Sequence, residues 1–161
     1  MTYRLLDSPV GRLLLAADDR ALRVLAFAGG VRAPAPEASW VEGTTDVLAA
    51  AADELSAYFR GALTRFTVPV DARGTAFQRA VWRGLVDIPY GDTVSYSELA
   101  RRIGRPAAVR AVGLANGSNP ISIIVPCHRV IGRDGTLTGY GGGLAIKQAL
   151  LDLERGQRRL V

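Results

Sequence analysis

Short apolar runs alternate with turn-forming residues along the first 70 positions, a pattern typical of a small β-sheet. It predicts strands at Tyr3–Leu6 and Arg12–Ala17, joined by a turn at Ser8–Gly11, and a third strand at Leu22–Ala28. Residues 29–43 are rich in glycine, proline and alanine, and we expect them to form a loop.

A helix is predicted next, because apolar residues recur at helical spacing and Thr44 or Thr45 can cap its N-terminus. Gly61 marks its end, and Phe66–Val70 is predicted to form a further short strand. The apolar positions of the helix are Val47, Leu48, Ala51, Leu55, Tyr58 and Phe59. Because no cluster of reactive side chains occurs in this half, we interpret residues 1–73 as an N-terminal α+β scaffold domain.

The pattern becomes mainly helical in residues 74–161, which predicts a second, C-terminal domain. Thr75 can cap a helix that ends before Pro89, with apolar positions at Phe77, Val81, Leu85 and Val86. The β-branched run Ile121–Ile131 is predicted to be a buried strand that delivers polar side chains into a cleft. Leu144–Arg155 is predicted to form the last helix.

Two short helices are predicted between the helix that ends before Pro89 and the run Ile121–Ile131, and they have the pattern of a helix-turn-helix. Ser95 and Glu98 predict a capping box at the start of the first helix, and Gly104 suits its C-terminus. Arg105–Pro106 begins the second helix, which we expect at about Ala107–Ala115, since proline is favoured at a first helical position.

The second helix carries an unusual number of small side chains around Arg110, at Ala107, Ala108, Ala111, Gly113 and Ala115. Small residues allow a helix backbone to lie close to another surface. That surface is either a groove of DNA or another helix of the protein, and the residues leave both alternatives open.

The basic residues are concentrated in the second half of the chain. Residues 1–75 hold 8 arginines and 9 acidic residues, whereas residues 76–161 hold 12 basic and 6 acidic residues, and the whole chain has a formal net charge of +5. This asymmetry favours a polyanionic partner for the C-terminal half. An arginine-rich proteome is the alternative interpretation, since 19 of the 20 basic residues are arginine.

A single cysteine and a single histidine limit the chemistry of the chain. They exclude an internal disulfide and an ordinary zinc site, which needs about four such ligands, so we expect neither a metal nor a cofactor. No apolar run approaches the roughly 18 residues of a membrane span, and the N-terminus lacks a signal peptide core. We therefore expect a soluble, intracellular protein, located in the cytoplasm, without a membrane partner.

Cys127 and His128 are adjacent and directly follow the apolar run that ends at Pro126. A lone cysteine is usually a small buried hydrophobic residue. A free thiol has a pKa of about 8.5 and needs a base or a positive charge to become nucleophilic near neutral pH, and His128 and Arg129 are the nearest candidates. Because successive side chains of an extended chain point apart, His128 would act through a water molecule or after a local turn.

The segment Thr138–Gly143 is dense in glycine, which lets backbone N–H groups approach a planar ligand closely. Glu154, in the last predicted helix, could reach back to orient a histidine. From the residues alone, however, an exposed carboxylate beside Arg155 is the preferred interpretation.

Five segments resemble, in order along the chain, the O6-alkylguanine-DNA alkyltransferases, also called methylated-DNA–protein-cysteine methyltransferases. They are Gly74–Gln78, Arg110–Gly113, Ala115–Pro120, Pro126–Arg129 and Gly139–Gly142. The resemblance covers roughly residues 74–156 and is weaker in the N-terminal half. It implies an α+β fold in which a small ribonuclease H-like domain, with a sheet and a helix, precedes a mostly helical domain with a helix-turn-helix.

The resemblance also implies chemical roles for five matching positions. Cys127 would accept the alkyl group. His128 would activate Cys127 through a water molecule, and Glu154 would orient His128. Asn119 would hold the active-site turn in place, and Tyr96 would donate a proton to the guanine ring.

A second group of positions would contact the DNA. Arg110 would fill the gap that the flipped nucleotide leaves in the duplex, and the small residues of the second helix would lie in the minor groove, at Ala107, Ala108, Ala111 and Gly113. Tyr140 and Gly141 would form the base pocket, and the Val130 carbonyl would accept a hydrogen bond from the base.

The implied function is DNA repair by direct reversal, in which the alkyl group of O6-alkylguanine in double-stranded DNA is transferred once, irreversibly, to Cys127 after base flipping. O4-alkylthymine as a further substrate, and cooperative binding to DNA by an otherwise monomeric protein, stay open. Two alternatives remain. A non-catalytic lesion sensor would bind the alkylated DNA only, and a Cys–His hydrolase would act repeatedly on acyl substrates.

Overall fold

The computed structural model describes residues 1–29 and 34–156, and its N-terminal half is built on a four-stranded sheet. The strands are β1 (Thr2–Ser8), β2 (Gly11–Ala17), β3 (Leu22–Phe27) and β4 (Val41–Glu42), in the spatial order β3-β2-β1-β4. Only the β1–β4 pairing is parallel. The three predicted strands of the sheet are therefore confirmed, whereas the predicted loop 29–43 contains the short strand β4.

The hairpin between β1 and β2 closes at Gly11, whose φ of 105° lies in the left-handed region that favours glycine. The Ser8 hydroxyl reinforces the turn by donating a hydrogen bond to the Gly11 carbonyl. All residues of β2 from Leu13 to Ala17 are buried, because the strand lies in the middle of the sheet and is covered on both faces.

Helix α1 (Asp46–Phe59) packs on the sheet and begins as predicted at Thr45, whose side chain accepts a hydrogen bond from the Leu48 N–H. The predicted strand Phe66–Val70 is wrong, because this segment makes a single isolated bridge, from Val70 to Leu22. Its backbone is held by a side chain instead. The Glu54 carboxylate accepts hydrogen bonds from the N–H groups of Thr67 and Val68, while Pro69 has no N–H to donate.

The C-terminal half is mostly helical, as predicted. Its helices are α2 (Ala76–Val86), α3 (Tyr96–Arg102), α4 (Val109–Gly117) and α5 (Leu144–Glu154), and two short strands, β5 (Val94–Ser95) and β6 (Val130–Ile131), pair in parallel. Helix α2 starts with a complete capping box between Thr75 and Gln78. Helices α3 and α4 pack against each other and against α2.

The helix-turn-helix differs from the prediction at two points. Ser95 caps α3, but the Glu98 carboxylate pairs with Arg101 and Arg102 rather than completing a capping box. Helix α4 starts at Val109, not at Ala107, because residues 105–108 close a separate turn through the hydrogen bond from the Ala108 N–H to the Arg105 carbonyl. Pro106 therefore lies in a turn and not at the first position of a helix.

The prediction of a continuous strand at Ile121–Ile131 is also wrong. Ile121 forms one bridge to Leu25, after which the chain turns, and Ile123 adopts a φ of 71°. A single turn of 3₁₀ helix at Cys127–Arg129 then leads into β6. The turn is possible here because side chains and nearby carbonyls, rather than a neighbouring strand, satisfy the backbone groups of this segment.

One hydrophobic core runs through both halves of the molecule, from the sheet and α1 to the helices of the C-terminal half. The Leu25 N–H donates to the Pro120 carbonyl, and the Ser122 N–H donates to the Leu25 carbonyl, so β3 is joined directly to the segment before Cys127. The domain boundary between residues 73 and 74 stays a prediction. Within the described part of the chain, no helix has the length and apolar character needed to cross a membrane.

Candidate active site

Cys127 begins the 3₁₀ turn directly after Pro126 and is buried. Asn119 fixes the chain that leads to it. Its Nδ2 donates to the carbonyls of Val125, at 2.8 Å, and Ile121, at 3.3 Å, while its Oδ1 accepts from the Ile121 N–H at 3.0 Å. The side chain of Asn119 thus closes both ends of the turn before the cysteine, which is the position that its predicted role requires.

His128 is fully buried, and its Nε2 lies 2.7 Å from Oε2 of Glu154. Burial lowers the pKa of His128, although the hydrogen bond to Glu154 opposes this effect. Burial by itself would raise the pKa of Glu154, but the hydrogen bonds and charges of His128 and Arg129 lower it to about 2. At neutral pH the carboxylate is therefore ionised and the imidazole is neutral, with its proton on Nε2.

The second ring nitrogen of His128, Nδ1, is buried and has no hydrogen-bond partner among the described residues. Since Nε2 holds the proton, Nδ1 carries a free lone pair and is the basic nitrogen of the imidazole ring. Cys127 and His128 are adjacent, and we expect them to act together through a water molecule or after a local turn. The 3₁₀ helix Cys127–Arg129 is such a turn. The preferred interpretation of Glu154 from the residues alone, an exposed carboxylate, is wrong, because Glu154 is buried against His128.

Arg129 does not serve as a cation beside the thiol. Its guanidinium binds Glu154 through Nε to Oε1, at 2.7 Å, and donates to the Ile88 carbonyl, at 2.7 Å. The guanidinium carbon also lies 5.8 Å from the centre of the Tyr90 ring. Arg129 therefore compensates the buried charge of Glu154 and ties α5 to the end of α2.

Lys147 is a buried residue of the site that the sequence reasoning missed. Its ammonium donates to the carbonyls of Val130, at 2.7 Å, and Thr138, at 3.1 Å. Burial raises the pKa of Cys127 above its ordinary value, and a hydrogen bond from Asn119 and the charge of Lys147 offset only part of this rise. A signal was present in the sequence, since Lys147 and Glu154 are seven residues apart and so share the face of α5 that carries Leu150 and Leu151.

Tyr58 was also missed, because it lies on α1 in the half interpreted as scaffold. Its hydroxyl is 2.6 Å from Oε2 of Glu154 and the residue is fully buried. The sequence offered no signal for this contact, since the two residues are 96 positions apart.

An open cleft of about 780 Å³ lies between the helix-turn-helix and the glycine-dense segment. Among the predicted site residues it is lined by Tyr96, Arg110, Gly113, Tyr140 and Gly141. The Tyr96 hydroxyl forms a hydrogen bond of 2.6 Å with that of Thr138, on the opposite wall. Tyr140 lines the cleft, and burial and the nearby Cys127 raise its pKa well above the usual range.

The remaining predicted positions fall at the edges of this arrangement. Ala107 and Ala108 lie in the turn before α4, and Ala111 is exposed on the helix itself. Val130 is fully buried and does not line the cleft, and its carbonyl accepts a hydrogen bond from Lys147. Within residues 1–29 and 34–156, no three side chains of the types that bind metals are grouped closely enough to hold an ion.

A buried cysteine that precedes a histidine–carboxylate pair, in a protein with a cleft bounded by a helix-turn-helix, is an arrangement typical of proteins that use a thiol as a nucleophile. Two family models match the chain, the ribonuclease-like domain of 6-O-methylguanine DNA methyltransferase over residues 1–72 and the DNA binding domain of the same family over residues 76–156. The chain belongs to the 6-O-methylguanine DNA methyltransferase family.

Individual relatives are similar over almost the whole chain. A methylated-DNA–protein-cysteine methyltransferase of Mycolicibacterium paratuberculosis is 55% identical over 153 residues, covering 95% of this chain and 92% of the relative. One of Methanosarcina barkeri is 48% identical and covers 99% and 100%. The crystal structure of Mycobacterium tuberculosis OGT in complex with DNA superposes with a TM-score of 0.90 at 51% identity, over 98% of this chain and 94% of that one.

Proposed function

We propose that this protein repairs alkylated DNA by direct reversal, as a methylated-DNA–protein-cysteine methyltransferase. The alkyl group moves from O6 of a guanine to Sγ of Cys127. The observation that carries this proposal is the free, buried Nδ1 of His128, on a ring that Glu154 fixes in the basic tautomer beside the only cysteine of the chain. The family membership and the relatives named above support the same reaction.

The bonds change as follows in the proposed reaction. Nδ1 of His128 takes the proton of the Cys127 thiol through a bridging water molecule, and Glu154 stabilises the imidazolium that forms. The thiolate attacks the alkyl carbon, so that the S–C bond forms while the bond from that carbon to O6 breaks. The guanine leaves with the electron pair of that bond and takes a proton from the Tyr96 hydroxyl. Lys147 supplies a buried positive charge that favours the thiolate.

The target atom is stacked inside the duplex, so the nucleotide must first be rotated out, at a cost of a few kcal/mol. The cleft between α4 and the glycine-dense segment is large enough to receive a base. Arg110 is exposed on α4 at the rim of this cleft, where it can enter the duplex and replace the flipped nucleotide. Small residues surround Arg110 and allow the protein backbone to approach a minor groove closely. They are Ala107, Ala108, Ala111 and Gly113.

The transfer is proposed to occur once per molecule. The product is a thioether, which offers water no carbonyl to attack, so Cys127 is not regenerated. Because the substrate is part of DNA, the protein must act in the compartment that contains the DNA. We propose that this compartment is the cytoplasm.

The test is to incubate the protein with a DNA duplex that contains one radiolabelled O6-methylguanine and to count the label on the protein. We expect the label to saturate near one equivalent and to be lost in Cys127→Ser. Tight binding of the alkylated duplex without transfer would contradict the proposal and indicate a lesion sensor. Repeated turnover of a thioester substrate would instead indicate a Cys–His hydrolase.

A further inference from the structure

Tyr58 and His128 share one oxygen atom of Glu154. The Tyr58 hydroxyl lies 2.6 Å and His128 Nε2 lies 2.7 Å from Oε2 of this carboxylate. Tyr58 belongs to α1, on the N-terminal half, whereas Glu154 ends α5, the last helix. The N-terminal half therefore reaches the histidine–carboxylate pair with a polar group, and not only with apolar packing.

The direction of this hydrogen bond is settled by the protonation states of its partners. Burial and the nearby Glu154 raise the pKa of Tyr58 well above its usual range, so the hydroxyl keeps its proton. Glu154, with a pKa of about 2, is an ionised acceptor at neutral pH. Tyr58 therefore donates. Oε2 accepts from Tyr58, His128 and, at 3.1 Å, Nη2 of Arg129, while Oε1 accepts from Nε of Arg129.

The Tyr58 ring is itself held firmly. It packs against Phe59, Phe66 and Tyr90, with ring centroids 5.3, 5.4 and 6.3 Å away. An aromatic side chain in such a cluster has little rotational freedom, so its hydroxyl is a fixed donor.

We propose that Tyr58 is a positioning residue for alkyl transfer, which holds Oε2 of Glu154 against His128 and takes up part of that oxygen's charge, so that Nδ1 of His128 stays unprotonated. The inference rests on the proposed function, in which Nδ1 is the base that accepts the thiol proton. It assigns the N-terminal half a part in the chemistry of a site whose other groups belong to the C-terminal half.

The physical argument concerns how the charge of Glu154 is divided among its donors. The charged groups that face His128 are Glu154 and Lys147 from α5 and Arg129 from its own turn, and Tyr58 from α1 faces the shared oxygen. When Tyr58 donates to Oε2, less negative charge is left to stabilise a protonated His128. Loss of this hydroxyl should make the imidazole more basic and leave the carboxylate less firmly oriented.

The experiment is to measure the rate constant of methyl transfer from the labelled duplex as a function of pH, in the wild type and in Tyr58→Phe. Because Tyr58→Phe keeps the ring and leaves Glu154 three donors, we expect the label still to saturate near one equivalent. The rate constant at neutral pH should fall about 10-fold, a part of the 10²–10⁴-fold that a positioned base contributes. The acidic limb of the profile should move to higher pH.

Two controls separate this role from a merely structural one. Leu48→Ala truncates a buried side chain near the other end of the same helix, away from the Tyr58 ring, and it should lower stability to urea without moving the acidic limb. His128 is the only histidine, so its imidazole resonances give its titration directly in each variant. The midpoint of this titration should move to higher pH in Tyr58→Phe. It should also do so in Tyr58→Met, a second variant without the hydroxyl, whose flexible side chain can refill the space.

The inference fails if Tyr58→Phe has the rate constant and pH profile of the wild type. It also fails if a smaller fraction of the variant becomes labelled, but the molecules that react do so with the wild-type rate constant and the titration of His128 is unchanged. Absence of transfer in the wild type itself would be a different result, since it would overturn the proposed function and not the placement of Tyr58.

Discussion

The ring of Phe27, at the end of β3, packs edge to face against the ring of Tyr140, with centroids 5.6 Å apart. Phe27 also fills the space beside Gly142, where an added Cβ would lie 2.8 Å from the phenyl ring. The sheet of the N-terminal half thus forms the back of the segment that lines the cleft. This contact constrains the shape of the proposed base pocket from outside it.

Gly142→Ala should therefore distort the pocket. We expect a loss of about 1–3 kcal/mol in the free energy of unfolding, because the new methyl group overlaps the Phe27 ring, and a lower rate of methyl transfer. Urea unfolding and the labelling assay measure the two effects. Phe27→Leu in the same chain removes the ring edge but keeps Cγ, so it relieves part of the overlap, and the two substitutions together should cost less than the sum of the single losses. A double variant whose losses equal that sum would contradict this explanation.

Lys147→Met should raise the pKa of Cys127 further, because a positive charge that lowers this pKa disappears while the burial of the thiol remains. Cys127 is the only cysteine, so the ¹³Cβ resonance of protein labelled at cysteine follows this one group during a pH titration. The methyl transfer rate at neutral pH should fall with the thiolate fraction. Lys147→Arg keeps the charge and should shift the titration less. An unchanged titration in Lys147→Met would show that the ammonium supports the backbone only.

Acid should destabilise the protein through Glu154. Its pKa is about 2 in the folded state against an ordinary value of 4.5. A carboxyl whose pKa is depressed by folding contributes stability above its unfolded value, and this contribution is lost as the pH falls from about 4.5 towards 2. The loss should be about 3 kcal/mol by linkage.

The buried, neutral His128 acts in the same direction from higher pH, because the unfolded chain binds its proton more readily than the folded one. Urea unfolding at a series of pH values measures the combined effect. Glu154→Gln, which cannot ionise, should be less stable at neutral pH and should lose less stability between pH 4.5 and 2. An equally steep loss in this variant would assign the acid sensitivity to other groups.

Arg110→Ala should reduce methyl transfer from duplex DNA by more than about 10-fold, because the flipped nucleotide then leaves an unfilled gap in the stack. Transfer from the free base O6-methylguanine should remain at the wild-type rate, since that substrate needs no flipping. Arg65→Ala removes an exposed arginine from the N-terminal half and controls for net charge. If Arg110→Ala slowed the reaction of the free base as strongly, its role would be in the chemistry and not in DNA distortion.

Local sequence was sufficient for much of the secondary structure. Thr45, Thr75 and Ser95 cap their helices as predicted, because a cap depends on a side chain and an N–H group three residues later. The apolar spacing also located α5 to within one residue of its C-terminal end. The prediction failed at Ile121–Ile131, where β-branched residues favour a strand but the side chain of Asn119 holds the backbone in a turn.

The sequence by itself determined the helices, the central strands and, through motifs around Cys127 and Arg110, the family. Only the tertiary structure decided that Tyr58 meets Glu154 across 96 residues, that Phe27 supports the pocket, and that Lys147 is buried beside the thiol. The physical reason is the range of the interactions. Caps and apolar periodicity act within one or two turns of the chain, whereas a buried charge or hydroxyl finds its partner only when distant elements pack together.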